Sequence, residues 1–131
     1  MAKRRAKRRF VLRLPLLGVV DRKTLWHKGL VAALRSVRRP RTQEPVLLLF
    51  TDRALARRYI RTRSLTGSAA ILLEPVDLLR AVLGELAHSG FRRAAIDHLT
   101  AEGHAWRPVA IAKVISAIDA KRPPFAERYG R

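Results

Sequence analysis

Residues 45–97 read PVLLLFTDRALARRYIRTRSLTGSAAILLEPVDLLRAVLGELAHSGFRRAAID. Three short apolar runs, at 46–50, 69–73 and 91–97, alternate in this stretch with two segments of helical period. Apolar runs that are too short for a typical helix are typical of strands covered on both faces. The stretch therefore predicts a β-α-β-α-β unit, and with it a small single-domain α/β fold.

The segment between the first two runs predicts a helix over Arg53 to Arg63. Thr51 or Asp52 precedes it and can cap its first turn by accepting a backbone N–H. Its apolar residues repeat at i, i+4 and predict one buried face. Its arginines repeat on the other side and predict an exposed basic row of Arg53, Arg57 and Arg61, joined by Arg58.

The second helical segment lies between Pro75 and Gly90. Proline is tolerated at the start of a helix, where its missing N–H has no partner, and glycine commonly ends one in a left-handed conformation. A leucine-rich stripe from Leu78 to Leu86 lies between these two signals. The pattern predicts a helix that packs on the sheet.

The order LLLFTDRALARRYI, ILLEPVDLLRAVLGEL and GFRRAAID resembles the SseB-like domain of bacterial proteins related to type III secretion and enhanced serine sensitivity. The resemblance covers 45–97. It implies an α/β fold in a bacterial protein and suggests a protein–protein interaction adaptor. It carries over no catalytic residue, only fold-setting positions: Phe50, Thr51, Asp52, Pro75 and Asp77.

The positive charge is concentrated at the start of the chain. The formal net charge is +18, and residues 1–44 hold 14 Lys and Arg against 2 Asp and Glu, a net +12, whereas 45–97 and 98–131 carry +3 each. Such an excess favours polyanionic partners, because phosphate neutralisation releases condensed counterions. A high-GC genome would explain arginine over lysine, but it would not explain the scarcity of acids before residue 45.

The chain opens with a basic run. Six of the residues 1–9 are Lys or Arg, and such a run repels itself until it meets a partner. We predict a flexible arm at 1–9 that lies against nucleic-acid phosphates, followed by one α/β domain at 10–131. The alternative is a solvated chain end.

Residues 10–20 form an apolar run broken by Arg13 and Pro15. The interruptions and the lack of a small-residue cleavage site argue against a signal peptide, and the run is too short to span a membrane. It predicts one or two strands, broken near Pro15, that add to the sheet, and the strand order stays open because they could pair on either edge.

Residues 21–39 predict a basic amphipathic helix. The apolar stripe at helical spacing consists of Trp26, Leu30, Ala33, Leu34 and Val37. A helix of this kind packs on its own sheet, lies on a membrane surface or binds nucleic acid, and we favour packing with the basic face left for a partner. Residues 38–45 predict a loop, because Pro40 and Pro45 resist helix continuation.

Residues 98–107 show no clear period and predict a connection. Pro108 opens a further helix, stopped by Pro123 and Pro124, whose apolar face predicts either core packing or a homodimer through 108–120.

No catalytic or metal signature stands out. The chain has no cysteine, which excludes disulfides and thiolate metal sites and fits a reducing cytoplasm. His98 and His104 lie near Glu102, but their spacing fits no known zinc motif. Asp52 and Asp97 both end predicted strands and could form a site, although helix capping alone accounts for Asp52. We predict no metal, no cofactor and no enzymatic activity.

Two functions remain open. In the first, the chain binds the phosphate backbone of RNA or DNA, with RNA favoured, through Lys3, Arg4, Arg5, Lys7, Arg8, Arg9, Arg35, Arg38, Arg39, Arg41, Arg53, Arg57, Arg58 and Arg61. Exposed aromatics are expected to be scarce, so phosphate contact would dominate over base stacking. In the second, suggested by the SseB-like resemblance, a cytoplasmic adaptor meets an acidic protein.

Overall fold

A computed structural model describes residues 10–97 and 108–121. Within these ranges the elements are, in chain order, β1 (Leu17–Asp21), α1 (Arg22–Lys28), α2 (Leu30–Ala33), β2 (Ser36–Arg38), β3 (Pro45–Phe50), α3 (Arg53–Thr62), β4 (Ser68–Leu72), α4 (Val76–His88), β5 (Arg93–Ile96), β6 (Val109–Ala110) and α5 (Ile111–Lys121). Elements β3 to β5 form the predicted β-α-β-α-β unit. The α/β fold in one small domain is confirmed.

The described strands form one mixed sheet in the order β4-β1-β3-β5-β6. Strands β3 and β5 pair in parallel, whereas β1 is antiparallel to both β3 and β4. Strand β2 pairs with the first half of β3, on the same side as β1. Strand β4 therefore lies at one edge of the sheet.

The predicted N-terminal strand does add to the sheet, but at neither edge. Strand β1 lies between β3 and β4, and Gly18 is opposite Leu49 on one side and Ile71 on the other. Leu17 and Val19 are buried toward one face. Val20 is buried toward the opposite face. A strand that is apolar on both faces buries the most surface in the interior of a sheet.

Two cores lie on opposite faces of the sheet. The larger core includes Leu79, Leu83 and Leu86 of α4 and the apolar face of α5. In the smaller core, α3 is the only described helix that contributes fully buried residues. There Phe50 of β3 packs against Tyr59, with ring centroids 5.6 Å apart, and burial raises the pKa of the Tyr59 hydroxyl. The predicted buried face of α3 is confirmed.

The single amphipathic helix expected at 21–39 is wrong. Gly29, at φ 92°, separates the short helices α1 and α2, and the chain then turns extended into β2. Val37 pairs with Val46 of β3 and so belongs to a strand. Trp26 is 85% exposed instead of buried in a stripe. Pairing with β3 stabilises an extended segment that local helical spacing alone does not reveal.

The C-terminal helix begins at Ile111, after the two-residue strand β6, and not at Pro108. Ile111, Val114 and Ile118 are buried in the larger core, so the core-packing interpretation of this face is confirmed. The predicted homodimer through 108–120 therefore cannot use these three side chains without opening the core. The arm at 1–9, the connection at 98–107 and the stop at Pro123 and Pro124 lie outside the described residues.

None of the helices in the described ranges combines the length and apolar character needed to cross a bilayer.

Candidate functional site

A cleft of about 370 Å³ runs between helix α3 and the edge strand β4. We call it the arginine cleft, and its lining consists of Arg22, Arg53, Arg57, Ile60, Arg61, Ser68, Ala69 and Ala70. Four arginines therefore border one cavity. Three of them come from the row that the period of α3 predicts, and the fourth comes from the first residue of α1.

The row of arginines on α3 destabilises the helix that carries it. Arg53, Arg57 and Arg61 follow one another at i, i+4, where like charges destabilise a helix. Arg53 is also the first helical residue after the Asp52 cap, at the positive end of the helix dipole, where cations are unfavourable. Helix stability therefore does not account for this row. Ala56 and Tyr59 on the buried side attach the helix to the sheet.

Arg57→Gln is expected to raise the free energy of unfolding by about 0.4–1 kcal/mol, because it removes two like-charge pairs worth about 0.2–0.5 kcal/mol each. Arginine and glutamine have similar helix propensities, so the charge is the main change. Urea unfolding at low salt measures the effect, and added salt should shrink it. Lys121→Gln on α5 is the control: Lys121 has no charged neighbour three or four residues away within its helix, and it lies at the negative end of the helix dipole, so losing its charge should not raise stability. An equal change in both variants would contradict the argument.

Arg22 reaches the cleft because α1 is tied to β4. Its backbone N–H donates to the Gly67 carbonyl at 2.9 Å. The preceding Asp21 caps α1, accepting from the Thr24 N–H at 3.0 Å and the Thr24 hydroxyl at 2.7 Å. These two bonds, with a smaller contribution from Arg35, lower the pKa of Asp21. The cap therefore stays ionised well into the acidic range.

The edge strand presents backbone groups to the same cleft. Two hydrogen bonds show which residue pairs of β1 and β4 are bonded: the Leu73 N–H donates to the Leu16 carbonyl, and the Arg22 N–H donates to the Gly67 carbonyl, both at 2.9 Å. Since hydrogen-bonded pairs alternate along an antiparallel ladder, Ala70 lies at a position whose N–H and C=O point away from β1. In the described part of the chain, β4 pairs with β1 alone. The Ala70 N–H thus faces the open edge, where the cleft lies.

No acidic side chain in the described ranges lies within ion-pairing distance of the four cleft arginines. Elsewhere in those ranges the arginines are often paired, as Arg80 is with Asp119 at 2.8 Å and Arg93 with Glu44 at 3.0 Å. Unpaired guanidinium groups around one cavity create a local positive potential. Their planar forks match the oxygens of a phosphate or carboxylate.

Arg35, a predicted phosphate contact, has a structural role. Its Nε donates to Ser68 Oγ at 2.7 Å, and its Nη2 lies 3.4 Å from Asp21 Oδ1. It therefore links the cap of α1 to the first residue of β4. Both ends of this link lie beside the cleft, so Arg35 positions the cleft wall and does not line the cavity.

The other predicted contacts lie outside the cleft. Arg38 donates to the Gln43 carbonyl at 2.6 Å, and Arg39 pairs with Glu44 at 3.4 Å, so both guanidinium groups hold the connection between β2 and β3. Arg41 is exposed in the same connection, and Arg58 is exposed on α3. The six basic residues of the arm, Lys3, Arg4, Arg5, Lys7, Arg8 and Arg9, lie outside the described residues.

The two acids at the strand ends are both engaged. Asp52 Oδ1 accepts from the Ala54 N–H at 2.6 Å, which confirms its capping role. The Asp97 carboxylate accepts from the Thr51 N–H at 2.8 Å and from the Thr51 hydroxyl at 2.6 Å. Asp97 therefore fastens the end of β5 to the end of β3. Helix capping and strand fastening account for both carboxylates.

Within the described ranges, no three His, Asp or Glu side chains come together as a metal-binding group. His98, Glu102 and His104 lie outside those ranges.

Sequence reasoning missed two residues of this region. Arg22 belongs to the cleft only because β1 pairs with β4, and no short-range signal in the sequence places residue 22 beside residue 57. Trp26 was expected to be buried, yet it is the most exposed large apolar side chain in the described ranges. Gly29 ends α1, and a glycine at this position in the sequence could have indicated that the helix stops there.

No protein-family model matches the chain, and no curated protein matches it either.

Proposed function

We propose that this chain is a non-catalytic module that binds the phosphate backbone of nucleic acid, with RNA ahead of DNA. The observation that carries the proposal is the arginine cleft, where four arginines line one cavity and no described carboxylate pairs with them. When an arginine neutralises a phosphate, the cations condensed on that phosphate are released, and their gain in entropy favours binding. The basic arm at 1–9 would add contacts of the same kind.

The spacing of α3 suits a linear polyanion better than a single small anion. Arginines at every fourth residue lie about 6 Å apart along a helix axis. A strand that runs along α3 would therefore meet the guanidinium groups one after another. The Ala70 N–H on the neighbouring edge strand adds a neutral donor, which backbone phosphates commonly accept from.

The proposal includes a cytoplasmic location and a bacterial protein with an SseB-like region. Absence of cysteine agrees with a reducing cytoplasm. The SseB-like resemblance of 45–97 favours a bacterial protein, and an acidic protein partner on the same arginines is the competing function. A salt titration separates the two, because only a polyanion with condensed counterions gives a steep, length-dependent salt response.

The test compares two double variants of the full-length chain. Arg57→Gln with Arg61→Gln removes two cleft charges, whereas Lys113→Gln with Lys121→Gln removes two charges from exposed positions of α5, which packs on the other face of the sheet. Fluorescence anisotropy with a mixed-sequence single strand, at several salt concentrations, gives the slope of log K against log salt. We expect the cleft variant to lose about 1.4 from the slope magnitude, and about 25-fold in affinity near 0.1 M salt.

Equal losses in the cleft variant and the α5 variant would contradict a role for the cleft. Weak binding by the unmodified chain, with specific recovery of a protein partner after nuclease treatment, would favour the adaptor function. Thermal unfolding of both variants should show an intact fold.

A further inference from the structure

We infer that Trp26 and the arginine cleft together form a site for single-stranded nucleic acid, in which the arginines hold phosphates and the indole stacks on an unpaired base. The inference rests on the proposed function and names its ligand class. It also adds a stacking contact to a site at which phosphate contact alone was expected to dominate.

Trp26 stands out among the apolar side chains of the described ranges. It is 85% exposed, whereas Leu25, the residue before it, packs against the larger core. Helix α1 thus uses its neighbouring face for packing and directs the largest side chain of the helix to solvent. An indole offers a large flat surface to a planar partner.

The position of Trp26 relative to the cleft follows from helix geometry. Arg22 lines the cleft, and Trp26 follows it by four residues within α1. Side chains at i and i+4 are neighbours on one face, with Cβ atoms about 5–6 Å apart. The indole therefore lies beside the α1 end of the cleft, within the reach of a nucleotide whose phosphate contacts Arg22.

The helix that carries Trp26 is tied to the sheet at its start and capped at its end. The Asp21 cap fixes its start, and Arg35 links that cap to Ser68 of the edge strand. At its other end the Gly29 N–H donates to the Leu25 carbonyl at 3.1 Å. A short helix tied down in this way fixes the position of the Trp26 backbone relative to the arginines of α3.

The arginines and the exposed indole together favour a single-stranded nucleic acid over other polyanions. A duplex hides its bases inside the stack, and so it could use the arginines but not the indole. An acidic peptide would satisfy the arginines without needing an aromatic surface. A single strand offers both phosphates for the guanidinium groups and free base faces for Trp26, which is the pairing that single-strand binding proteins use. Lys23 and Lys28 on the same helix add to the positive charge around the indole.

The experiment titrates the full-length chain and its variants into four probes of equal length: a uridine-rich RNA, a thymidine-rich DNA, an abasic DNA strand that keeps the phosphates, and a duplex. Trp26→Ala is expected to weaken binding of the two base-containing single strands by about 5- to 150-fold. It should leave binding of the abasic strand and the duplex unchanged. Trp26→Phe should recover most of the lost affinity, since it restores an aromatic face.

Leu78→Ala is the matched control, because Leu78 is also an exposed apolar side chain but lies on α4, which packs on the larger core. It should leave all four affinities unchanged. A Trp26→Ala variant that binds every probe as the unmodified chain does would overturn the inference, and so would an equal loss for all four probes.

The slope of log K against log salt distinguishes this inference from the proposed function. Trp26→Ala should keep the slope of the unmodified chain, because it removes no charge, whereas the Arg57 and Arg61 double variant should lower it for every probe, the abasic strand included. If the arginine variant behaves as expected and the tryptophan variant binds normally, the proposed function stands and the stacking site is refuted. If the unmodified chain binds none of the probes, both are refuted.

Discussion

Phe50→Ala is expected to lower the free energy of unfolding by about 3–5 kcal/mol. The Phe50 side chain is fully buried in the smaller core and packs against Tyr59 of α3 at a centroid distance of 5.6 Å. Its removal forfeits burial of the ring and leaves a cavity between β3 and α3, which close-packed surroundings fill only in part. Such a loss is a large share of the 5–15 kcal/mol that typically stabilises a domain.

Urea unfolding followed by circular dichroism measures this loss, with Val11→Ala as the control because Val11 is 65% exposed and a surface substitution should change stability by no more than about 0.5 kcal/mol. Because α3 carries three of the cleft arginines, Phe50→Ala should also weaken nucleic-acid binding. An unchanged unfolding midpoint would show that α3 does not depend on this contact.

The largest loss of binding is expected when all four cleft arginines, Arg22, Arg53, Arg57 and Arg61, become glutamine. With a slope of about 0.7 per phosphate contact on a single strand, four lost contacts lower the slope magnitude by about 2.8, which corresponds to about 600-fold in affinity near 0.1 M salt. The change should cost no stability, because each substitution on α3 removes like-charge repulsion.

The arm supplies the comparison for this variant. A chain without residues 1–9 lacks six basic residues but keeps the cleft. The truncated chain therefore measures the contribution of the arm to binding, and the four-glutamine variant measures that of the cleft. If the arm alone accounts for the whole slope, the four-glutamine variant will bind as the unmodified chain does, and the cleft will not be the site. If both contribute, the slope losses should add.

Several parts of the fold could be predicted from residues close together in the chain. The Asp52 cap, the buried and basic faces of α3 and the helix that follows Pro75 all depend on contacts within a few residues. The three apolar runs at 46–50, 69–73 and 91–97 were recognisable as strands because each was too short to be a helix. Local periodicity decides such features, since it fixes which side chains share a face.

The sheet order and the cleft could not be predicted in this way. Strand β1 is as apolar as β3 and β4. Its place between them depends on how much apolar surface the whole sheet buries, and no feature of 17–21 alone decides it. That placement brings Arg22 next to the arginines of α3, more than thirty residues later in the chain. It also turns 21–39 into two short helices and a strand, and so leaves Trp26 exposed.

By itself, the sequence determined the α/β class, the β-α-β-α-β unit and the row of arginines on α3, because each depends on the order and spacing of neighbouring residues. The tertiary structure alone decided that Arg22 and the edge of β4 lie beside that row, that Arg35 supports the cleft wall, and that Trp26 is exposed on the helix that carries Arg22. The reason is that strand pairing joins residues distant in the chain, and several pairings satisfy the same apolar pattern until all the surfaces are buried together.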